Sequence, residues 1–488
     1  MLHRFLELWD NLQLIQRPFP WREFKWNLGI GFGFYLLLVI VDLPWMMDTE
    51  DKYMDWLMDI RANSDNIPSL KDKDIPPFVF LDIDNKTFQA WNEPLFTPRE
   101  RLEYLIRAAA TGKARMIVVD IDVSQPTSKT LEKSSLSLEK KLLKDYPQEK
   151  LLKDYLEDYV AQCRQTQDKS RCPPIVFARA FSTSEKTEHV LAPRIGFLEE
   201  VVTNGAPYLY WGSVHFYQSE DLVVRRWKLW QPACLNNKPQ VVPSIELLAM
   251  GIFQENCSVE KIQKELDSFK PTNCHDKDSV PELERLQVCG ITISTEPRDL
   301  NQRIMYSMIW KEESQGETTS RHSVTTETGE DILQVFSAKP FAYEINKNSP
   351  VSLEELTGSI VVIGGSYDDG RDIHLTPVGF MPGVLIVINA IHSILQYNVI
   401  ELLLTWWQNF LLITVLIVIV SFCLTRFCFI IGFSLASLII IILMFVFVLQ
   451  WLNYGMWLNF VLPLIVIEIF QTVRELTQEC KKPNQPAN

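Results

Sequence analysis

The chain has 488 residues, enough for two or three ordinary domains, and carries a formal net charge of −13. With no Lys/Arg stripe interleaved with aromatics, that charge excludes a nucleic-acid partner, because a phosphate backbone would be repelled. A mean hydropathy of +0.01 hides an asymmetry: apolar residues concentrate near the N-terminus and after about residue 400, and the middle reads as an ordinary mixed-charge protein.

Residues 1–25 carry Arg4, Arg17, Arg22 and Lys25 and read as a cytoplasmic segment. Residues 26–47 follow as a membrane-spanning helix, uncharged from Leu28 to Val41. A cleaved signal peptide competes with this reading but starts too late, and Leu43, Pro44 and Trp45 do not make a cleavage site. Residues 48–401 then form one extracytoplasmic domain.

Within that domain FVFLDI at 78–83 is an apolar run of strand type. Pro98 opens an amphipathic helix with Leu102, Leu105, Ile106 and Ala109 on one face, which Gly112 ends. MIVVDI at 116–121 is a second strand, so strand, helix and strand predict parallel neighbours. Residues 129–170, with KLLKDY at 141–146 and again at 150–155, read as a charged helical insertion. Strands are expected at 175–181, 208–216 and 222–230, loops at 255–290 and a polar excursion at 312–330. SIVVIG at 359–364 gives another buried strand, and 382–397 a helix.

Apolar segments at 402–425, 427–450 and 456–473 each approach the ~20 residues needed to cross ~30 Å of hydrocarbon. Placing Arg426 in a cytoplasmic turn and 474–488 in a cytoplasmic tail puts every short basic segment on one side. Trp406, Trp407, Trp451 and Trp457 then anchor the outer interface. The expected fold is therefore an α/β extracytoplasmic domain with a mainly parallel sheet, plus four transmembrane α-helices, one N-terminal and three C-terminal. The bilayer is the first expected partner.

Six of the nine cysteines, Cys163, Cys172, Cys234, Cys257, Cys274 and Cys289, fall in the outer domain. An even number in an oxidising compartment permits three disulfides, and six cysteines allow fifteen connectivities. Cys163 with Cys172 is the most local pair, and buried free thiols are the alternative.

Four stretches carry a family resemblance: YMDWLMDIRA at 53–62, VFLDIDNKTF at 79–88 with MIVVDIDVSQP at 116–126, GSVHFYQSEDLVVRRWKL at 212–229, and GSIVVIGGSYDDGRDIHLTPVGFMPGVLIVINAIHSIL at 358–395. They resemble the type-two CHASE domain, an extracytoplasmic sensory module of bacterial signalling proteins. The resemblance implies a bacterial inner membrane, a sensory function without catalysis and a homodimer. Such domains usually precede a kinase or cyclase. Here about fifteen residues follow the last apolar segment, so the resemblance implies relay to a separate kinase, cyclase, protease or transcription regulator. The alternative is a scaffold subunit whose outer domain binds a protein through 129–170.

Asp82 and Asp84 end the first strand, and Asp120 and Asp122 the second. Residues two apart on a strand share a face, and ligands of open α/β sheets bind at the carboxyl ends of strands. SYDDGRDIH at 366–374 adds Asp368, Asp369, Asp372 and His374. Asp82, Asp84, Asp120, Asp122, Asp372 and His374 are thus candidate ligand-binding residues for a polar or cationic small molecule. No cofactor is expected, except that Asp82 and Asp120 are candidate ligands of a divalent cation such as calcium. Equally open is a structural role, in which these acids cap turns or pair with Arg371, Arg225 or Arg226. Gly364-Gly365 is either an anion nest or a tight strand exit. GGSYDDG does not supply a GxSxG elbow, so a hydrolase is disfavoured.

Overall fold

A strand buried on both faces reads as an unbroken apolar run, and four such runs build the centre of the molecule. In the computed structural model they are β1 (Phe78–Ile83), β2 (Met116–Val119), β3 (Ile175–Ala178) and β6 (Ile360–Gly365); β4 (Leu209–Gly212) and β5 (Leu333–Ser337) complete a six-stranded sheet. The order is β5-β1-β6-β2-β3-β4, and every neighbouring pair is parallel. The structure describes residues 19–40, 44–63, 75–125, 147–166, 168, 171–184, 187–274, 280–281, 285–294, 302–310, 331–344, 352–399, 401–402, 406–427, 431–432, 434–439, 441–443 and 456–457.

β1 and β2 are parallel, as expected, but they are not neighbours. β6 lies between them, with Val362 opposite Phe80 on one side and Val118 on the other. The crossover through α1 (Arg99–Thr111) is long enough to step over one strand. Leu102, Leu105, Ile106 and Ala109 of α1 are wholly buried, and Gly112 is its C-cap. α2 (Pro147–Gln165) packs on the same side through Leu152, Leu156, Tyr159 and Val160. α3 (Ile245–Phe253) and α4 (Gly383–Tyr397) cover the other face. There a Cβ on Gly212 would strike Ile245, and one on Gly364 would strike Val384, both at 2.7 Å. These glycines let a helix approach the sheet backbone.

The expected charged insertion is helical over Pro147–Gln165; 126–146 and the excursion at 312–330 lie outside the described residues. The expected strand at 222–230 is two short ones, Val224–Trp227 and Trp230–Leu235. Trp230–Leu235 joins a separate four-stranded sheet with Lys238–Pro243, Thr187–Pro193 and Phe181–Ser184. All six outer cysteines are paired, as Cys163–Cys172, Cys234–Cys274 and Cys257–Cys289.

The chain divides into two compact units, Met58–Val399 and Met1–Leu57 with Ile400–Asn488. In the second, the helices Trp21–Ile40 and Trp406–Arg426 run antiparallel: Asn27 Nδ2 donates to Thr425 Oγ1 at 3.0 Å, Gly31 meets Ile417, and Tyr35 meets Phe410.

The expectation of four transmembrane helices is corrected. Among the described residues no helix is long and apolar enough to cross a membrane. Arg22, Glu23, Lys25 and Asn27 occupy the start of Trp21–Ile40, leaving about 13 apolar-run residues or ~20 Å. Phe410–Leu424 of the second helix, between Gln408 and the Thr425-Arg426 end, spans about 22 Å, against a hydrocarbon core of ~30 Å. Of the segment expected at 427–450 only short pieces fall within the described residues. Of 456–473 only Met456–Trp457 does, as a strand paired with Glu401–Leu402; the tail 474–488 lies outside.

Candidate functional site

The strands β1, β6, β2 and β3 all point their carboxyl ends to one edge of the sheet, where a parallel α/β fold leaves a crevice. The chain ends β1 and β2 with the same triplet, Asp-Ile-Asp, at 82–84 and 120–122. In both, alternation turns Val79 and Ile117 toward the α1–α2 layer, and therefore Asp82 and Asp120 toward the α4 layer.

Asp82 is 2 % exposed and fully engaged. Its Oδ1 accepts the Ser366 N–H at 3.0 Å and its Oδ2 the Ser366 hydroxyl at 2.7 Å, tying the end of β1 to the exit of β6. Burial pushes its carboxyl up to about 7; the Ser366 bonds oppose the rise and Asp84 adds to it. Asp120 differs. It keeps partial exposure, and among the described residues its side chain accepts no hydrogen bond. The protein around it still pushes its carboxyl up to about 7, mainly by desolvation, with Asp372 raising and His374 lowering it.

Asp372 and His374 come from a hairpin of β7 (Ile373–Thr376) and β8 (Gly379–Pro382) that follows β6. The His374 Nε2–H donates to Asp372 Oδ1 at 2.8 Å. That bond, with the fields of Asp372 and Asp120, holds the imidazole above its ordinary value against desolvation. Asp372 also meets the start of α4: the Gly383 N–H donates to its carbonyl at 2.8 Å, and any Cβ at Gly383 would collide with its Oδ2. A glycine is required here by close approach of the carboxylate to the helix N-terminus, which a negative charge stabilises.

The structure thus brings Asp120, Asp372 and His374 together and gives the remaining candidates other work. Asp84 caps the helix Asn85–Ala90, accepting the Thr87 N–H at 2.6 Å. Asp122 accepts from Ser124 N and Oγ at 2.8 and 2.6 Å and faces Arg194 at 3.5 Å. Asp368 exchanges two hydrogen bonds with Asn85. Arg225 forks onto Asp221 at 2.7 and 2.6 Å. Gly364 and Gly365 lie within β6, both outside the positive-φ region, so they form a strand exit and no nest; at Gly365 the Tyr367 ring leaves no room for a Cβ. Among the described residues no group of three or more His, Cys, Asp or Glu is placed to hold a metal ion, so the calcium expectation finds no such cluster. Ser307 Oγ and His392 Nδ1 lie 2.8 Å apart, but both residues are buried and sealed from any substrate.

Two clefts meet at Asp120 and Asp372. One, of about 380 Å³, is bounded by the strand ends, Tyr367 and Arg179; the other, of about 240 Å³, by His215, His374 and the start of α4. Tyr367 is fixed by stacking on Phe88 at 4.3 Å. Sequence reasoning missed Arg179. Its signal is a charge inside the apolar run IVFARAF, where a buried cation needs a partner. Glu199 is that partner, at 2.5 Å.

Architecture and site together define an α/β module with a polar crevice at the carboxyl edge of a parallel sheet. A model of the CHASE2 domain matches residues 32–424. The chain belongs to that family, whose members are extracytoplasmic sensory domains, and its three disulfides fit an oxidising compartment. No curated protein and no solved structure matches it.

Proposed function

We propose that the chain is a signal-input protein whose crevice at Asp120, Asp372 and His374 binds a small polar ligand on the extracytoplasmic side, and that occupancy is relayed to a separate protein. The observation that carries this reading is Asp120. A carboxyl is surrounded by protein, left without a hydrogen bond and set where two clefts meet. Such a group costs stability, and a ligand offering a donor there repays it.

The route of relay is α4. It starts at Gly383 against Asp372, all fifteen of its residues are buried, and about 22 Å later it hands the chain to Ile400, where the second unit resumes. Asn389, His392 and Ser393 fasten it to residues 305–308, so a shift at its start moves a connected element. Relay also requires that ligand bind the two states of this element unequally. The scaffold reading has less support, because the apolar face of α2 is spent on the sheet.

The test is a thermal shift of the purified full chain with the low-molecular-weight fraction of the host's medium and periplasm. The reading expects a rise in Tm that Asp120→Asn abolishes and Asp84→Ala leaves in place. An equal rise in Asp120→Asn, or none in the wild type, contradicts it.

A further inference from the structure

The smaller of the two clefts at Asp120, of about 240 Å³, has a polar end and an apolar wall. Asp120 leaves β2 on the side of α4, and Ile386 and Val387 of α4 line the same cleft, so carboxyl and helix face one space. Val214, Phe216 and Val224 supply the rest of the apolar wall.

The polar end offers acceptors and one unmatched charge. Asp372 spends one carboxylate oxygen on His374 at 2.8 Å, and His374, held above its ordinary value by that bond, offsets the charge of Asp372. Two carboxyls against one imidazole leave one negative charge over, and it falls to Asp120, which accepts no hydrogen bond among the described residues. His215 adds a further acceptor. The Gln231 Nε2–H donates to the Pro232 carbonyl at 2.8 Å, which turns Gln231 Oε1 toward His215 Nδ1 at 3.3 Å. Nδ1 therefore carries the proton, and because burial holds the ring below its ordinary value, Nε2 keeps its lone pair. Lys228, whose field reaches His215, does not line the cleft. The N-terminus of α4, which would attract an anion, is already covered by the Asp372 carboxylate at Gly383.

These features exclude most ligand classes. An anion meets acceptors and like charge. A bare metal ion finds no group of three ligands among the described residues and leaves the apolar wall unused. A neutral alcohol covers the wall and leaves the charge of Asp120 unmatched. We infer that this cleft binds a small alkylammonium ion, its N–H groups donating to Asp120 and Asp372 and its hydrocarbon tail lying on Phe216, Val224, Ile386 and Val387. The inference rests on the sensory reading of the same crevice and names the class of its ligand. The volume lies below the range of about 300–1,000 Å³ that drug-sized molecules occupy, which suits a tail of a few carbons.

The test uses the purified full chain and the straight-chain series from methylamine to hexylamine at about 10 mM, a level at which a millimolar ligand raises Tm measurably. Butanol supplies the tail without charge, butyrate the opposite charge, and potassium chloride the charge without a tail. Tm rises with the amines and with none of the three controls. Titration calorimetry shows affinity growing by up to about fourfold with each added methylene until the wall is covered. Asp120→Asn weakens the best amine roughly tenfold or more, as does Asp372→Asn at its exposed position, whereas Asp84→Ala leaves it unchanged. Phe216→Ala, at a half-buried position, flattens the dependence on tail length. The inference is overturned if no amine shifts Tm, if butanol or potassium chloride shifts it as far as the best amine does, or if both aspartate variants bind that amine as the wild type does. In each case a shift with the host fraction that Asp120→Asn abolishes leaves the sensory reading standing. Silence there removes that reading too.

Discussion

The ends of β1 and β2 carry the same three residues and do different things. At 82–84 the first aspartate is locked onto Ser366 and the second caps a helix; at 120–122 the second closes a turn, and the first is left without a hydrogen bond, at the meeting point of two clefts. The difference lies in what stands opposite. Ser366, at the exit of β6, presents a backbone N–H and a hydroxyl to Asp82, whereas Asp120 faces Asp372 and the start of α4. An identical motif is therefore locked in place where its neighbour supplies donors and left without a hydrogen bond at its first aspartate where it does not.

The largest expected effect separates the two first aspartates. Asp82→Ala strands the Ser366 donors and costs about 2–3 kcal/mol in urea denaturation, whereas Asp120→Ala removes a group with no hydrogen bond and costs less than about 1 kcal/mol. Equal losses would break the comparison. Titration sharpens it next. With both carboxyls raised to about 7 in the native state and ionising near 4 when unfolded, the unfolded chain binds fewer protons between those values. Stability therefore falls as pH rises from ~4 to ~7 and loses nothing more to these groups above that window. Each carboxyl contributes at most about 1.4 kcal/mol per pH unit, Asp120 less because it is partly open to solvent. Denaturation at pH 5 and 7 should show a shallower slope in Asp120→Asn; an unchanged slope would place its titration elsewhere. The smallest effects belong to the second aspartates: about 1 kcal/mol for Asp84→Ala, which uncaps a helix, and about 0.5 for Asp122→Ala, which opens an exposed turn.

How much of this was legible in the chain follows from the range of the interactions. FVFLDI, MIVVDI and SIVVIG announce strands because burial on both faces excludes polar residues, and Pro98 and Gly112 bracket α1. The pair Cys163–Cys172 was readable from nearness, but Cys234–Cys274 and Cys257–Cys289 depend on tertiary placement. So does the insertion of β6 between β1 and β2, made by a strand some 240 residues downstream. Among the described residues the membrane expectation failed because it counted apolar stretches without subtracting the polar turns that open Trp21–Ile40 and close Trp406–Arg426. At the site, the acids were visible and their division of labour was not, since Ser366 and Gly383 decide it. Arg179 could have been noticed as a charge between Ala178 and Ala180 in an apolar run.

The central claim is that occupancy of the crevice over Asp120 is felt along α4. Hydrogen–deuterium exchange of the full chain, with and without the host's low-molecular-weight fraction, tests it directly. The account predicts slowed exchange in peptides covering 116–125, 360–372 and 383–397 of the wild type, and no change in Asp120→Asn. Protection confined to peptides of α1 and α2, 99–111 and 147–165, or the same pattern in Asp120→Asn, would contradict it.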